Sequence, residues 1–488
     1  MRSATSARSA SLPDARRPAL RARGVRRIEL PALTARAYYW TIIGGERIER
    51  EIEHGEVLLR RPERLHAHVA ERLRRLLEDA TATVPFHRRL RRDGFDPATV
   101  RDDGDLARLP VVTKAMMQAA PHEYEAETLP PGSQRSQTGG STGTPLSFWH
   151  EPSHLARMRA DLHRAYRWCG QWPGDRSLFL WGSDHDAIAH RTPIGRLIDR
   201  FGYNRVWADA FALGPAQLDR ALAVARHWRP DFLVAYSTSA LLLARHVGAE
   251  AIGSLRAVQV TAEVLTPTMR GEIERGLGAP VFNRYGCREV GNIAHECGAH
   301  DGLHVFADSH VVEIVDDAGR CVPEGEPGRI VVTNLTNRAT PFIRYDLGDI
   351  GRLRYDRCCC GRRTPRLHLI EGRTGEIVTS PSGKWIHGEF FTHLFYAIEG
   401  VRRFRVVQED LHTLRIELES EKPVAAATLQ DLDRMIRTAG DRDFRVSFEQ
   451  VAAIRPSASG KYRFVESKVA LSTSPVADPD SREAEDNA

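Results

Sequence analysis

Three groups of residues have types and spacings suited to chemistry. The first is Ser136-Gln-Thr-Gly-Gly-Ser-Thr-Gly-Thr-Pro145. Gly139, Gly140 and Gly143 lack the side chains that would hold backbone N–H groups away from a phosphate, and Thr138, Ser141, Thr142 and Thr144 supply hydroxyl donors. A Walker-type loop would continue with Lys and Ser/Thr after its last glycine. Thr144-Pro145 follow here, which disfavours a P-loop phosphotransferase. The second group is Cys297, His304 and Cys358-Cys-Cys360-Gly361. Cys358 and Cys360 offer two thiolates on a tight turn, and Cys297 with His304 completes the three-sulfur, one-imidazole set of a closed structural Zn2+ site. Cys359 falls between its neighbours as the non-ligand, and Cys169 and Cys321 read as ordinary thiols. The third group comprises Asn283-Arg-Tyr-Gly-Cys-Arg-Glu289, Pro341-Phe-Ile-Arg-Tyr-Asp-Leu-Gly-Asp349 and a late Ser459-Gly-Lys461. Only five of the 69 basic residues are lysines, so a lysine inside a motif stands out from the background.

These groups need a scaffold to position them. With 488 residues, 42% hydrophobic and 27% charged, the chain has material for two or three packed domains. It lacks the bias of a disordered or disulfide-stapled protein. The net charge of +5 is unevenly placed. Residues 1–28 carry eight Arg against one acid and residues 475–488 five acids against one Arg, so the body between them is near neutral. Nucleic acid is therefore set aside as a partner. No run of about 18 apolar residues occurs, so no membrane span is expected. The best candidate, Phe232 to Ala244, is interrupted by Tyr236, Ser237, Thr238 and Ser239 and reads as a buried helix. A start without an apolar signal segment, together with clustered cysteines, points to the cytoplasm.

Leu58, Leu59, His66, Val69, Leu73, Leu76 and Leu77 recur at helical spacing, so helix is expected from Pro31 to about Arg92, ended by Val84-Pro85-Phe86. Residues 104–150 read as loop-rich. Between about 155 and 280 the apolar runs at 177–181, 232–235 and 257–260 alternate with helical stretches, the pattern of α/β layers on a largely parallel sheet. Short strands are then expected at 304–305, 311–314, 328–333 and 350–354. After Arg373 a hairpin (401–407 with 414–418), a helix (425–437) and a strand (444–448) form a small α+β unit. The expected division is a disordered basic extension over 1–30, a large domain over 31–372, a small domain over 373–470 hinged at Gly372–Gly375, and a disordered acidic tail over 471–488.

The glycine-rich string, rich in Ser/Thr and closing in Gly-x-Pro, resembles the phosphate loop of the adenylate-forming superfamily. Within it the nearest likeness is the phenylacetate–CoA ligase-like branch, including its capsule-biosynthesis relatives. The resemblance covers most of residues 50–470, and Leu146 stands where many members carry Lys. It implies an α/β fold with a large N-terminal domain of layered mixed sheets and a small mobile α+β C-terminal domain. It places ATP phosphates on residues 138–144 and adenine beside Thr261-Ala262-Glu263 and Tyr285, with Gly286 allowing a tight turn. Glu289 then holds Mg2+, a hard cation that prefers oxygen ligands. Arg288 stands where members usually have Ser or Thr. The Arg344-x-x-x-Gly-Asp349 string puts Asp349 on the ribose hydroxyls, with Asp346 as the other candidate. Gly372-Arg373 matches the pair before the family's hinge, where Arg373 contacts ribose or phosphate, and Gly375 stands where the hinge acid falls. Lys461 corresponds to the lysine that stabilises charge developing during adenylation. Ser382-Gly-Lys384 reads as a solvated turn.

The function implied is activation of a carboxylic acid by ATP and Mg2+ to an acyl-adenylate, followed by transfer to coenzyme A, with Zn2+ as a structural ion. Transfer to an amine, in polysaccharide or secondary-metabolite synthesis, is the alternative acceptor chemistry. A nucleotide-binding relative without turnover is a third reading, since Arg288 and Gly375 depart from the pattern. An aromatic acid follows only from the family name. Trp149, His150, Trp181, His185, Trp207 and Phe211 are candidates for the wall of an acyl pocket. The oligomeric state stays open, with a homodimer as one candidate.

Overall fold

A computed structural model describes residues 30–138, 146–181, 192–209, 215–247, 252–371, 377–382, 385–387, 391, 394–395, 398, 400–455 and 464–469. The chain opens on four helices: α1 (Leu30–Tyr38), α2 (Gly45–Leu58), α3 (Pro62–Thr83) and α4 (Pro85–Arg92). In α3 the buried Leu65, Val69, Leu73, Leu76, Leu77 and Ala80 fall on one stripe, and that stripe packs into the largest core. Pro85 was expected to end this region, yet it starts α4. Proline at the first helical position has no N–H to lose and its fixed φ suits the helix.

The expected loop-rich stretch contains a short helix, α5 (Lys114–Ala119), and then a hairpin of β1 (Gln134–Gln137) with β2 (Ser147–His150). Helix α6 (Pro152–Trp168) follows. Eleven strands then share one sheet: β3 (Ser177–Trp181), β4 (Arg205–Asp209), β5 (Phe232–Tyr236), β6 (Ala257–Thr261), β7 (Val281–Cys287), β8 (Gly291–Glu296), β9 (Leu303–Val305), β10 (His310–Val315), β11 (Gly328–Asn334), β12 (Tyr345–Arg354) and β13 (Arg366–Glu371). Their order is β10-β11-β12-β13-β9-β8-β7-β6-β5-β3-β4. Strands β3 to β7 pair in parallel, and from β7 to β10 every pairing is antiparallel. β5 and β6 are buried along their whole length, as strands between two helical layers must be. The run at 232–244 is thus a strand, where the alternating apolar runs put one at 232–235, followed by the helix Ser237–Val247, rather than one buried helix. Its first four residues, 232–235, are wholly apolar and carry neither a period of 2 nor one of 3.6, so their pattern alone could not separate strand from helix.

Past residue 377 lie a small hairpin, β14 (Ile377–Thr379) with β15 (Trp385–His387), and a four-stranded sheet ordered β18-β17-β16-β19. Its strands are β16 (Val401–Gln408), β17 (Thr413–Ser420), β18 (Arg445–Val451) and β19 (Val465–Ser467), with the helix Ala426–Met435 between β17 and β18. Phe391, Phe395, Phe404, Ile416, Leu432 and Phe444 help form an apolar core made only of residues from 378 onward. The hairpin, helix and last strand fall where the sequence pattern put them. β19, which pairs in parallel with β16, was not foreseen, because three residues are too few to show a pattern.

Candidate active site and metal centre

The β1–β2 hairpin presents the glycine-rich string as its connection. Thr138 N–H donates to the Leu146 carbonyl and Leu146 N–H to Thr138 Oγ1, both at 2.9 Å. Gly139, Gly140, Ser141, Thr142, Gly143 and Thr144 lie outside the described residues. Leu146, found in place of Lys, is 1% exposed and belongs to the core beneath the hairpin.

Ala262, Glu263, Tyr285 and Gly286 gather at the carboxyl ends of β6 and β7, where ligands bind in open α/β sheets. Ala262, just past β6, has a left-handed φ of 70°, a strained position of the kind that collects at functional sites. Glu263 follows, and its Oε2 accepts from the Thr238 N–H at 2.8 Å, capping the helix Ser237–Val247. At the end of β7 the expectation for Gly286 needs correcting. It lies within the strand at an irregularity in register, and the turn itself runs over 288–290, closed by Gly291 at φ 85°. Glycine is required at 286 by close approach, since an added Cβ would collide with the Gly291 carbonyl oxygen.

Two crossed tyrosine–carboxylate bonds tie this turn to β12. Tyr285 Oη donates to Asp349 Oδ2 at 2.6 Å, and Tyr345 Oη donates to Glu289 Oε1 at 3.3 Å. Sequence reasoning missed Tyr345, which reads there as one residue inside a turn string. Burial first, and the Glu289 charge second, push the Tyr345 phenol well above its ordinary pKa. Glu289 is 8% exposed, and its carboxylate oxygens are the donor type that Mg2+ takes. Asp346 is already engaged: Oδ1 accepts from the Gly348 N–H at 2.8 Å and Oδ2 pairs with Arg329. That capping role leaves Asp349 as the stronger ribose candidate of the two.

Among the acyl-wall candidates, Trp181 packs against Tyr236 with ring centroids 4.4 Å apart at the carboxyl ends of β3 and β5, and Trp207 packs against Phe179 at 4.8 Å. Trp149 is tied by its backbone to Thr340 and Asn337. His150 turns instead toward the Arg288 carbonyl, at 3.2 Å. His185, Phe211, Arg373, Gly375, Lys384 and Lys461 lie outside the described residues.

Cys297, His304, Cys358 and Cys360 bring their ligand atoms within 4.8 Å of one another. Cys297 Sγ lies 3.7 Å from Cys358 Sγ, and Cys360 Sγ lies 3.3 Å from His304 Nε2. Zn–S bonds of about 2.3 Å and Zn–N bonds of about 2.0 Å in a tetrahedron place such atoms roughly 3.5–3.8 Å apart, so the donor set fits Zn2+. Nδ1 of His304 lies 3.0 Å from Thr364 Oγ1, an outer partner that fixes the ring and aims Nε2 inward. The hydrogen bond between Cys297 and Cys360 pushes the first thiol up and pulls the second down, so Cys360 is the readiest thiolate. Cys359 is exposed and outside the cluster, as expected for the non-ligand.

The fold is that of adenylate-forming ligases. It aligns with 2-hydroxyisobutyryl-CoA ligase, solved in the postadenylation state with R3-HIB-AMP, over 86% of this chain and 90% of that one, with a TM-score of 0.64 and 23% identity. More narrowly, the chain belongs to the phenylacetate–coenzyme A ligase family. It is 30% identical over 334 residues to phenylacetate–coenzyme A ligase of Thermus thermophilus, covering 65% of this chain and 72% of that protein. With the Escherichia coli ligase it shares 29% over 325 residues, 64% of this chain and 72% of that one. Residues 378–468 match the CapK C-terminal domain family, and Protein CapK of Staphylococcus aureus is 24% identical over 215 residues, 43% of this chain and 46% of that protein. Among the described residues no helix is long and apolar enough to cross a membrane.

Proposed function

We propose that this protein joins a carboxylic acid to AMP from ATP, with loss of pyrophosphate, and then transfers the acyl group to the thiol of coenzyme A. The observation that carries the reading is the pair of crossed bonds, Tyr285 to Asp349 and Tyr345 to Glu289, beside the hairpin that carries the glycine-rich string. In the first step an oxygen of the substrate carboxylate attacks the α-phosphorus and the bond to pyrophosphate breaks. Residues 138–144 cradle phosphates, Ala262, Glu263, Tyr285 and Gly286 border adenine, and Asp349 and Arg373 take the ribose. Glu289 would hold Mg2+, which when bound offsets the charge of the phosphates. Lys461, in the stretch between β18 and β19, brings its ammonium to the charge that builds as the new bond forms. Cys297, His304, Cys358 and Cys360 would hold Zn2+ as a cross-link, since four protein ligands leave no position for substrate.

The reading divides the chain into a large domain over 31–372 and a small one over 373–470. An aromatic acid is favoured by the Trp181–Tyr236 wall and by the phenylacetate ligases among the relatives. Transfer to an amine is the alternative acceptor chemistry, and the likeness to Protein CapK bears only on its place in surface-polysaccharide synthesis. The deciding test is exchange of pyrophosphate into ATP with aryl and aliphatic acids, comparing wild type with Lys461→Ala. Acid-dependent exchange lost in the variant is the expected result. ATP binding without exchange for any acid would overturn it.

A further inference from the structure

The turn that carries Glu289 is gripped from its buried side, and one of the grips comes from the strand leaving the glycine-rich string. His150 ends β2 and is 4% exposed. Its Nε2 lies 3.2 Å from the carbonyl oxygen of Arg288, the residue before Glu289. A carbonyl only accepts, so Nε2 carries the proton and donates, which leaves Nδ1 as the bare nitrogen, buried without a hydrogen-bond partner among the described residues. The ring is held by His154 on α6, whose centroid is 4.8 Å away and whose Nδ1 lies 2.7 Å from Thr336 Oγ1. β2 itself is fastened at the preceding residue. Trp149 N–H donates to Thr340 Oγ1 at 2.9 Å, and Asn337 Nδ2 donates to the Trp149 carbonyl at 2.8 Å.

On the other flank of Glu289 the Val290 carbonyl lies 3.0 Å from His310 Nε2 and 3.4 Å from Asn334 Nδ2. The carbonyls of the residues before and after Glu289 are thus fixed by buried side chains. The tie to Arg288 runs directly to the hairpin, five residues beyond the phosphate string. Such outer contacts set where a ligand oxygen stands, and a carboxylate moved by a fraction of an ångström binds its ion more weakly.

We propose that His150 is a positioning residue that locks the glycine-rich hairpin and the Glu289 carboxylate into one geometry, so that phosphate and Mg2+ are held in register. The proposal rests on the reading of Glu289 as the Mg2+ ligand. It is tested on the full-length protein by measuring ATP affinity calorimetrically across a series of Mg2+ concentrations, with melting temperature followed in parallel. His150→Ala is expected to raise the half-effective Mg2+ concentration about tenfold, the range seen for lost outer-shell contacts. His150→Gln can place an amide N–H near the Nε2 position and is expected to return the value to within about threefold. His150→Asn is too short to reach and is expected to behave like the alanine variant, so the Gln/Asn pair decides the matter even where His150→Ala fails to fold. A lower melting temperature with unchanged Mg2+ dependence in these variants, while Glu289→Gln shifts it, would overturn the coupling. Unchanged Mg2+ dependence in Glu289→Gln overturns the reading of Glu289 itself and the coupling with it.

Discussion

At the scale of single residues, the bond from Tyr285 to Asp349 sets a definite expectation. The Asp349 carboxylate, proposed for the ribose hydroxyls, has its Oδ2 directed by the phenol at 2.6 Å. Asp349→Asn removes the charge while keeping the shape, and a hydrogen bond to a charged group is worth about 1.5–3 kcal/mol. The KM for ATP in pyrophosphate exchange should therefore rise tenfold or more on that scale. Tyr285→Phe keeps the ring and loses only the orienting donor, so its rise should be smaller. An Asp349 variant with unchanged KM would remove Asp349 from the ribose site. At the metal centre, Cys358→Ser should lower the bound zinc from one ion per chain toward none and depress the melting temperature by several degrees, because loss of a structural metal belongs to the costly class of substitutions. Metal analysis of the purified protein reads the first, and a thermal melt the second. Purified wild type without zinc would leave the four residues as a thiol–imidazole cluster only.

At the scale of elements, the close passage of β7 against Gly291 makes Gly286 the most constrained glycine of the site. Gly286→Ala must push strand and turn apart, an overpacking effect of about 1–3 kcal/mol, and it does so beside Tyr285 and Glu289. Its melting temperature and its ATP affinity should fall together, whereas a fall in stability alone would separate the strand from the site. The elements that were readable beforehand share one trait. In α3 the stripe of Leu65, Val69, Leu73 and Leu76 repeats over several turns, and in the hairpin β16–β17 apolar residues alternate with others at Phe404 and Val406 and at Leu414, Ile416 and Leu418. β5 was ambiguous because every residue of it is buried, and Pro85 was misjudged because a stop and a start use the same residue. β7 and β8 were absent from the reading, since Asn283, Arg284, Asn292, His295 and Glu296 interrupt their apolar residues.

At the scale of the whole molecule, the four zinc-type ligands could be grouped from the sequence because cysteine is scarce and five of the seven fall between Cys287 and Cys360, with His304 among them, and the structure brings the four together. The crossed tyrosine bonds and the grip of His150 are long-range meetings of common residues, and no local pattern announces them. Stability should depend on pH through the buried imidazoles. Burial lowers His87 to about 4 and His295 to about 3, so neither takes a proton in the folded state near neutrality. The unfolded chain protonates them around pH 6.5, so stability is full above that value and falls as the pH drops toward 4. His87→Leu should flatten the fall of melting temperature between pH 6.5 and 4 relative to wild type, by on the order of 3 kcal/mol of the acid-linked loss. Parallel curves for the two proteins would show that His87 has no part in it. The Zn2+ proposed for the Cys297, His304, Cys358 and Cys360 cluster has a further consequence, in the order of folding. Cys297 and Cys358 are 61 positions apart, and between them run β9 to β12, while β9 and β13 pair just beyond the cluster. Closing so long a loop costs on the order of 4 kcal/mol before any strand contact is gained. An ion shared by the four ligands closes it in advance, so refolding should run faster with zinc present than with a chelator, through a nucleus that a purely apolar core would assemble late.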